Sequence, residues 1–222
     1  MTPPAPQPDR IAERRLMVDG QIRTFGVTDL AVIERFLAVP REDFVDAAQA
    51  GLAYSDAILR LPGAPARSLL APMVLARMIQ HANVRPGDRV LDVAGGLGYS
   101  AALLSGLAGQ VAARESGAAR CAAMRTALAP FANVRVAEEP LTGGSDRYDV
   151  ILLNGSYAAG IEPLLAQLAE GGRLLAVRSA TGGSLGQAVR FEKTGASAGL
   201  RPLFDARAPV LEGFAAAAAF AF

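Results

Sequence analysis

Arg89-Val90-Leu91-Asp92-Val93-Ala94-Gly95-Gly96-Leu97-Gly98-Tyr99-Ser100 decides how this 222-residue chain is read. An apolar run ends on an acid, opens into a glycine-rich turn and continues into a helix-like segment, Ser100 to Leu107. A run without polar alternation suits a parallel strand buried on both faces. Glycines let the backbone turn tightly and approach a ligand closely. The helix that follows presents free N–H groups and a partial positive charge to that turn. This is the build of a nucleotide site.

Two templates fit the turn. Gly96-Leu97-Gly98-Tyr99-Ser100-Ala101 matches G-x-G-x-x-G/A, the dinucleotide fingerprint. The same residues match the class I methyltransferase pattern as Asp92-x-Ala94-x-Gly96-x-Gly98, with alanine in place of the first glycine. Asp92 ends the strand itself, which favours the second template and S-adenosylmethionine (SAM). Glu115 follows the strand-like Gln110-Val111-Ala112-Ala113 and serves either template as a ribose-hydroxyl acceptor. A glycine-rich turn without a ligand is the bland alternative.

Outward from this turn the chain alternates strands and helices. Strands are expected at Arg89–Val93, Gln110–Ala113, Asn133–Val136, Tyr148–Leu153 and Gly172–Val177. Helices are expected at Ser100–Leu107, Gly117–Leu128 and Ile161–Ala169. The alternation predicts an α/β, Rossmann-like, mostly parallel sheet. Ala188–Glu192 and Phe214–Phe222 lack an intervening helix and are expected to form an antiparallel C-terminal edge pair. The first third reads helical. Ile11 to Ile22 forms one segment, and Thr28 or Asp29 caps a helix carrying Leu30, Ile33 and Leu37. Pro40 ends that helix, Leu61 to Arg67 is a Pro/Gly loop, and Pro72 starts a helix through His81. The whole is read as a single domain, 1–222: a disordered tail over 1–10, a helical N-terminal cap over 11–70 and a SAM-binding core over 71–222.

Composition narrows the classes. Apolar residues make up 51% and net charge is +1, so no electrostatic case exists for nucleic acid. No apolar run reaches membrane-spanning length, and Met1 to Gln7 is proline-rich with no signal-peptide pattern. Cys121 is the only cysteine, so no intramolecular disulfide or Cys-rich metal site is possible. A cytoplasmic setting, no metal and a monomer are expected. Gly182-Gly183-Ser184-Leu185-Gly186 matches a nucleophile elbow, but the only histidine, His81, precedes the serine. Arg14, Arg15, Arg23, Arg41 and Arg60 read as surface charges, any one of which can meet an anionic substrate. Glu138 and Glu139 fall where an adenine-contacting acid is expected in a nucleotide site, or are surface charges.

From about Asp19 onward the chain resembles the protein-L-isoaspartate O-methyltransferase family. Gln21-Ile22-Arg23 with Gly26-Val27-Thr28-Asp29, Val39-Pro40-Arg41-Glu42-Asp43-Phe44-Val45 and Ala53-Tyr54-Ser55-Asp56 carry the resemblance. Arg85-Pro86-Gly87-Asp88-Arg89-Val90-Leu91-Asp92, Tyr148-Asp149 and Gly171-Gly172-Arg173-Leu174 add features shared by class I methyltransferases.

The resemblance implies methyl transfer from SAM to the α-carboxyl of isoaspartyl residues in damaged proteins. A carboxylate is already ionised at neutral pH, so the reaction needs no general base, only positioning. The resemblance implies Ala94, Gly96, Gly98, Glu115 and Glu138 as cofactor contacts, with Asp92 supporting the turn. It implies Ser68 as the hydroxyl near the substrate, with Tyr54 and Asp56 as neighbours. The chain departs from the family at three places. Ser68-Leu69-Leu70-Ala71-Pro72-Met73 stands for a Thr-Ile-Ser-x-Pro-like segment, with Leu70 at the serine position. Ala94 replaces a glycine, and Glu139-Pro140-Leu141 replaces Gly-Asp-Gly. These departures keep alternatives open: another acceptor, a SAM-binding relative without catalysis, or an NAD(P) oxidoreductase.

Overall fold

The computed structural model describes residues 9–179 and 185–216. Asp9 begins it by capping helix α1 (Arg10–Met17), its carboxylate accepting from the Ile11 and Ala12 N–H groups. The segment read as one helix runs on through a π-helical turn, Val18–Ile22, and stops at Gly26 in a left-handed conformation (φ 82°). Asp29 caps α2 (Leu30–Ala38) in the same way. Val39 leaves the helix extended, as a residue before proline must. Pro72 opens α3 (Pro72–Ala82), where its missing N–H costs nothing.

The stretch read as a Pro/Gly loop is the turn of a hairpin. β1 (Leu59–Leu61) pairs antiparallel with β2 (Arg67–Leu69), so the cap over 11–70 is not wholly helical. Three-residue strands carry too little alternation to be seen as periodicity.

The core is a seven-stranded sheet. β3 (Arg89–Val93), β4 (Gln110–Glu115), β5 (Val134–Glu138), β6 (Tyr148–Tyr157) and β7 (Leu168–Arg178) are parallel, in the order β5-β4-β3-β6-β7. Helices α4 (Tyr99–Ser105), α5 (Ala118–Leu128) and α6 (Glu162–Ala166) connect them. Both faces are buried. Val90, Val150, Leu152 and Leu175 face the N-terminal cap and α3, while Leu91, Ile151, Leu153 and Leu174 pack with Leu164 and Phe214 on the other side. The antiparallel pair exists, but its second strand differs from the one expected. β8 (Gly186–Thr194) pairs with β7 and with β9 (Ser197–Ala206). Phe214 is buried outside any strand, and 217–222 lie outside the described residues, as do the 1–8 tail and most of the Gly182–Gly186 motif.

The strand order reverses between β3 and β6. That is the switch point at which open α/β sheets hold their ligands, beyond the carboxyl ends of the strands. Glu115 ends β4, Asp92 is the last residue but one of β3, and Asn154 lies in β6 just past its pairing with β3 at Leu153.

Candidate active site

Asp92 is fully buried and makes no ion pair among the described residues. It accepts from Asn154 Nδ2 (2.8 Å) and Ser100 Oγ (2.8 Å). Asn154 also donates to the Val93 carbonyl (3.0 Å), so β3, β6 and the first turn of α4 are tied through one amide and one carboxylate. Burial pushes the Asp92 carboxyl up to about 6, against the two hydrogen bonds that favour the anion.

A carboxyl raised this way binds its proton more tightly folded than unfolded, where the ordinary value is 3.8. Stability therefore falls as pH climbs from about 4 to about 6, then levels. The site's share of that fall is about 3 kcal/mol. Asp92→Asn removes the titration but keeps a hydrogen-bonding amide. Its stability relative to wild type should rise between pH 4 and 7, measured by denaturant unfolding at each pH. Parallel pH curves for the two proteins would show that Asp92 does not titrate in this range.

The glycine turn follows. Ala94 takes φ +60°, the left-handed angle at which a glycine is cheapest. Its methyl packs in the apolar cluster with Leu91 and Leu141, and its N–H donates to the Arg114 carbonyl (3.0 Å). The alanine thus keeps a glycine-like angle at a cost of about 1 kcal/mol. Gly96 (φ +66°) and Gly98 (φ +100°) continue the turn. A side chain on Gly96 would run into Leu61, and one on Gly98 would lie 2.7 Å from Leu128 Cδ1.

Glu115 is the centre of the site and is completely buried. Its Oε1 accepts from Arg67 Nε (2.8 Å) and from the Ser116 N–H (2.8 Å), and its Oε2 accepts from the Gly96 N–H (3.1 Å). Arg67 comes from β2, also buried, and donates onward to Ser116 Oγ (2.9 Å) and the Ala66 carbonyl (2.9 Å).

Two cavities share Arg67 in their walls. One of about 340 Å³ is walled by Arg60, Ser68 and Asn154 on one side and Pro209 to Leu211 on the other. A second of about 290 Å³ is walled by Ser116, Pro140 to Thr142 and Glu212 to Phe214. Arg67 is the one residue that lines both.

Ser68 lines the larger of these two cavities, nearly buried, with no side-chain hydrogen bond to any described residue. Leu70, at the position of the family's serine, is packed in the apolar core, and its carbonyl accepts from Arg41 NH2 (2.8 Å). Arg41 is wholly buried and also holds the Ala53 carbonyl, so it is a strut of the cap and not a surface charge. Tyr54 is engaged with Arg14 and Glu42 inside the cap. Asp56 is exposed at a separate cavity of about 390 Å³, with Ala71 and Met73. Glu138 is exposed at the end of β5 and pairs with Arg125 (3.5 Å), while Glu139 pairs with Arg114 (3.2 Å).

Reading the sequence missed Arg67 and Asn154. Asn154 carries the same signal as Asp92, a polar residue that interrupts an apolar parallel run. Arg67 carries no local signal, because its partner is 48 positions away.

Known proteins resemble this chain in sequence and in fold. The family described as Protein-L-isoaspartate(D-aspartate) O-methyltransferase (PCMT) matches residues 13–197. The chain belongs to the protein-L-isoaspartate O-methyltransferase family. A relative from Methylorubrum extorquens (strain PA1) is 39% identical over 175 residues, 77% of this chain and 75% of its own. One from Roseiflexus castenholzii is 35% identical over 211 residues, 91% and 94% of the two chains. Both are named Protein-L-isoaspartate O-methyltransferase. A solved protein-L-isoaspartate O-methyltransferase overlays with a TM-score of 0.79 at 22% identity, over 91% of this chain and 67% of that one. A second, from Plasmodium falciparum in complex with S-adenosyl-L-homocysteine, gives 0.73 at 18%, over 93% and 100%. These two likenesses speak to the fold.

A nucleoside suits the donor set. Glu115 would offer a carboxylate to a ribose diol, the Gly96 N–H lies 3.1 Å from it, and Leu141 and Phe214 line the neighbouring cavity. Arg67 is the one side chain that already donates to that carboxylate among the described residues.

Proposed function

We propose that the chain methylates the carboxylate of isoaspartyl residues in damaged proteins, using SAM. The observation that carries this is Ser68: a hydroxyl without a described partner, lining a cavity next to the glycine turn and its acid. SAM, when bound, supplies an electrophilic methyl group on sulfur. The acceptor carboxylate is ionised at neutral pH and needs no base, so the chain's task is to hold and orient it. Ser68 donates a hydrogen bond to it, and Arg60, opposite Ser68 in the hairpin register and lining the same cavity, supplies a cation at the mouth. The Asn154 amide oxygen has no partner among the described residues, while its nitrogen is spent on Asp92 and Val93. It offers an acceptor to the cationic end of the cofactor. Gly96, Gly98 and Glu115 hold the nucleoside, with Asp92 and Ala94 shaping the turn beneath it. Glu138 is read as an outer contact on the adenine side.

The wider setting proposed is protein repair in the cytoplasm by a monomer, without nucleic acid or membrane as partner. Its support is the near-neutral net charge of +1 and the lack, among the described residues, of a helix long and apolar enough to cross a membrane.

The test is transfer of labelled methyl to a peptide containing isoaspartate and to its aspartyl twin. Label on the first alone is expected, as a base-labile ester. Ser68→Ala should lower kcat/KM roughly tenfold to a hundredfold, the value of one hydrogen bond to a charged group. Equal labelling of both peptides, or none, would sink the isoaspartyl reading. An unaffected Ser68→Ala enzyme would remove Ser68 from the site.

A further inference from the structure

We infer that Arg67 sets the affinity of the chain for its nucleoside cofactor, by holding the ribose-binding carboxylate in a self-bonded state that it must release first. The inference rests on the SAM-dependent reading above and adds to it a residue that competes with the cofactor from within the chain.

Three of the roughly four acceptor directions on the Glu115 carboxylate are taken, including both on Oε1. One oxygen is held by Arg67 and the Ser116 N–H, the other by the Gly96 N–H. The carboxylate is 0% exposed, so no ligand reaches it while Arg67 stays. The arginine is well anchored. All three of its nitrogens donate, to Glu115, Ser116 Oγ and the Ala66 carbonyl. It also partitions the space, since cavities of about 340 and 290 Å³ share it as their only common wall residue. Neither cavity alone includes Glu115 in its lining; moving the guanidinium out would join them across that carboxylate.

Arg67 does not move alone. Its hairpin is fastened at the turn by Arg120, whose NH2 donates to the carbonyls of Pro62 (3.0 Å), Gly63 (3.2 Å) and Pro65 (2.9 Å). It is fastened at the stem by Leu61, buried against Gly96. Hairpin, arginine and turn therefore form a closed state stabilised by an ion pair out of water. A site that is competent only when open binds with its intrinsic constant divided by the open fraction. Weakening the latch raises that fraction and tightens binding.

The experiment is calorimetric titration of the full chain with S-adenosylhomocysteine, for wild type, Arg67→Gln and Arg120→Met. Glutamine spares the two backbone donors on Glu115 but cannot form the ion pair. The expected result is about tenfold or more tighter binding by Arg67→Gln, with Arg120→Met between it and wild type. Arg120→Met should also exchange the amide hydrogens of residues 59–69 faster than wild type before any ligand is added. Equal or weaker binding by Arg67→Gln would overturn the inference and leave the SAM reading standing, because Arg67 would then be a passive strut or a cofactor ligand. No binding by any of the three proteins would overturn both. Should Arg67→Gln fail to fold, Arg120→Met decides, and an unchanged affinity there counts against the latch.

Discussion

Glu115→Ala is expected to cost about 4 kcal/mol of stability, read as a lower urea midpoint at an unchanged slope. The carboxylate and the Arg67 guanidinium are both out of contact with water, at 0% and 1% side-chain exposure. Removing the acid leaves a buried cation and frees two backbone donors, the Gly96 and Ser116 N–H groups, from their acceptor. A buried pair loses far more when one partner is deleted than it contributes when intact. The double variant Arg67→Met/Glu115→Ala should therefore be more stable than the single one, although it carries one change more. A single variant within about 1 kcal/mol of wild type would mean that water reaches the pair. The same substitution should abolish binding of S-adenosylhomocysteine, since the residue that stabilises the empty fold is also the proposed ribose acceptor.

Gly98→Val is the second large effect, again about 4 kcal/mol. Gly98 stands at φ +100°, where a β-branched residue is costly by about 1–3 kcal/mol. Its added carbon would also lie 2.7 Å from Leu128 Cδ1 and 2.9 Å from Leu128 Cγ, an overpacking of about 1–3 kcal/mol. The two parts separate in a double-mutant cycle. In a Leu128→Ala background Gly98→Val should regain the packing share only, because the backbone share does not depend on Leu128. Full recovery would show that the backbone relaxes; no recovery would show that α5 already gives way. The Gly98 carbonyl accepts from Ala102 in the first turn of α4, so a shift here disturbs the entry of that helix.

Much of this is legible in the sequence alone. The parallel strands β3, β4, β6 and β7 announce themselves as apolar runs, because both of their faces are buried. Asp29 and Pro72 mark helix starts for reasons that are local to them. The acid–glycine turn places the site at the switch point.

What was missed has physical causes. β9 shows little apolar pattern because many of its positions face water, and it contains Pro202, a residue that strand interiors rarely hold. The actual strand is an edge strand, where proline is tolerated. The Arg67–Glu115 pair spans the hairpin and the sheet, so neither residue's neighbours predict it. Arg41 reads as a surface charge for the same reason: the carbonyls that receive it belong to Ala53 and Leu70, in segments that only the tertiary fold brings near.

The last strand also bears on how molecules of this chain avoid one another. Among the described residues β9 leaves one row of backbone groups unpaired at the rim of the sheet, and such a row can recruit a strand from a second molecule. Pro202 removes one donor from β9. The pairing with β8 slips by one residue beside it, from Ala188↔Phe204 to Val189↔Pro202. A slip of this kind bends and twists the strand, so it presents no straight template for intermolecular pairing. Arg201 and Asp205, both exposed, place charge on either side of the irregularity. The feature that hid β9 from sequence reading is thus the one that protects the folded protein from edge-to-edge aggregation.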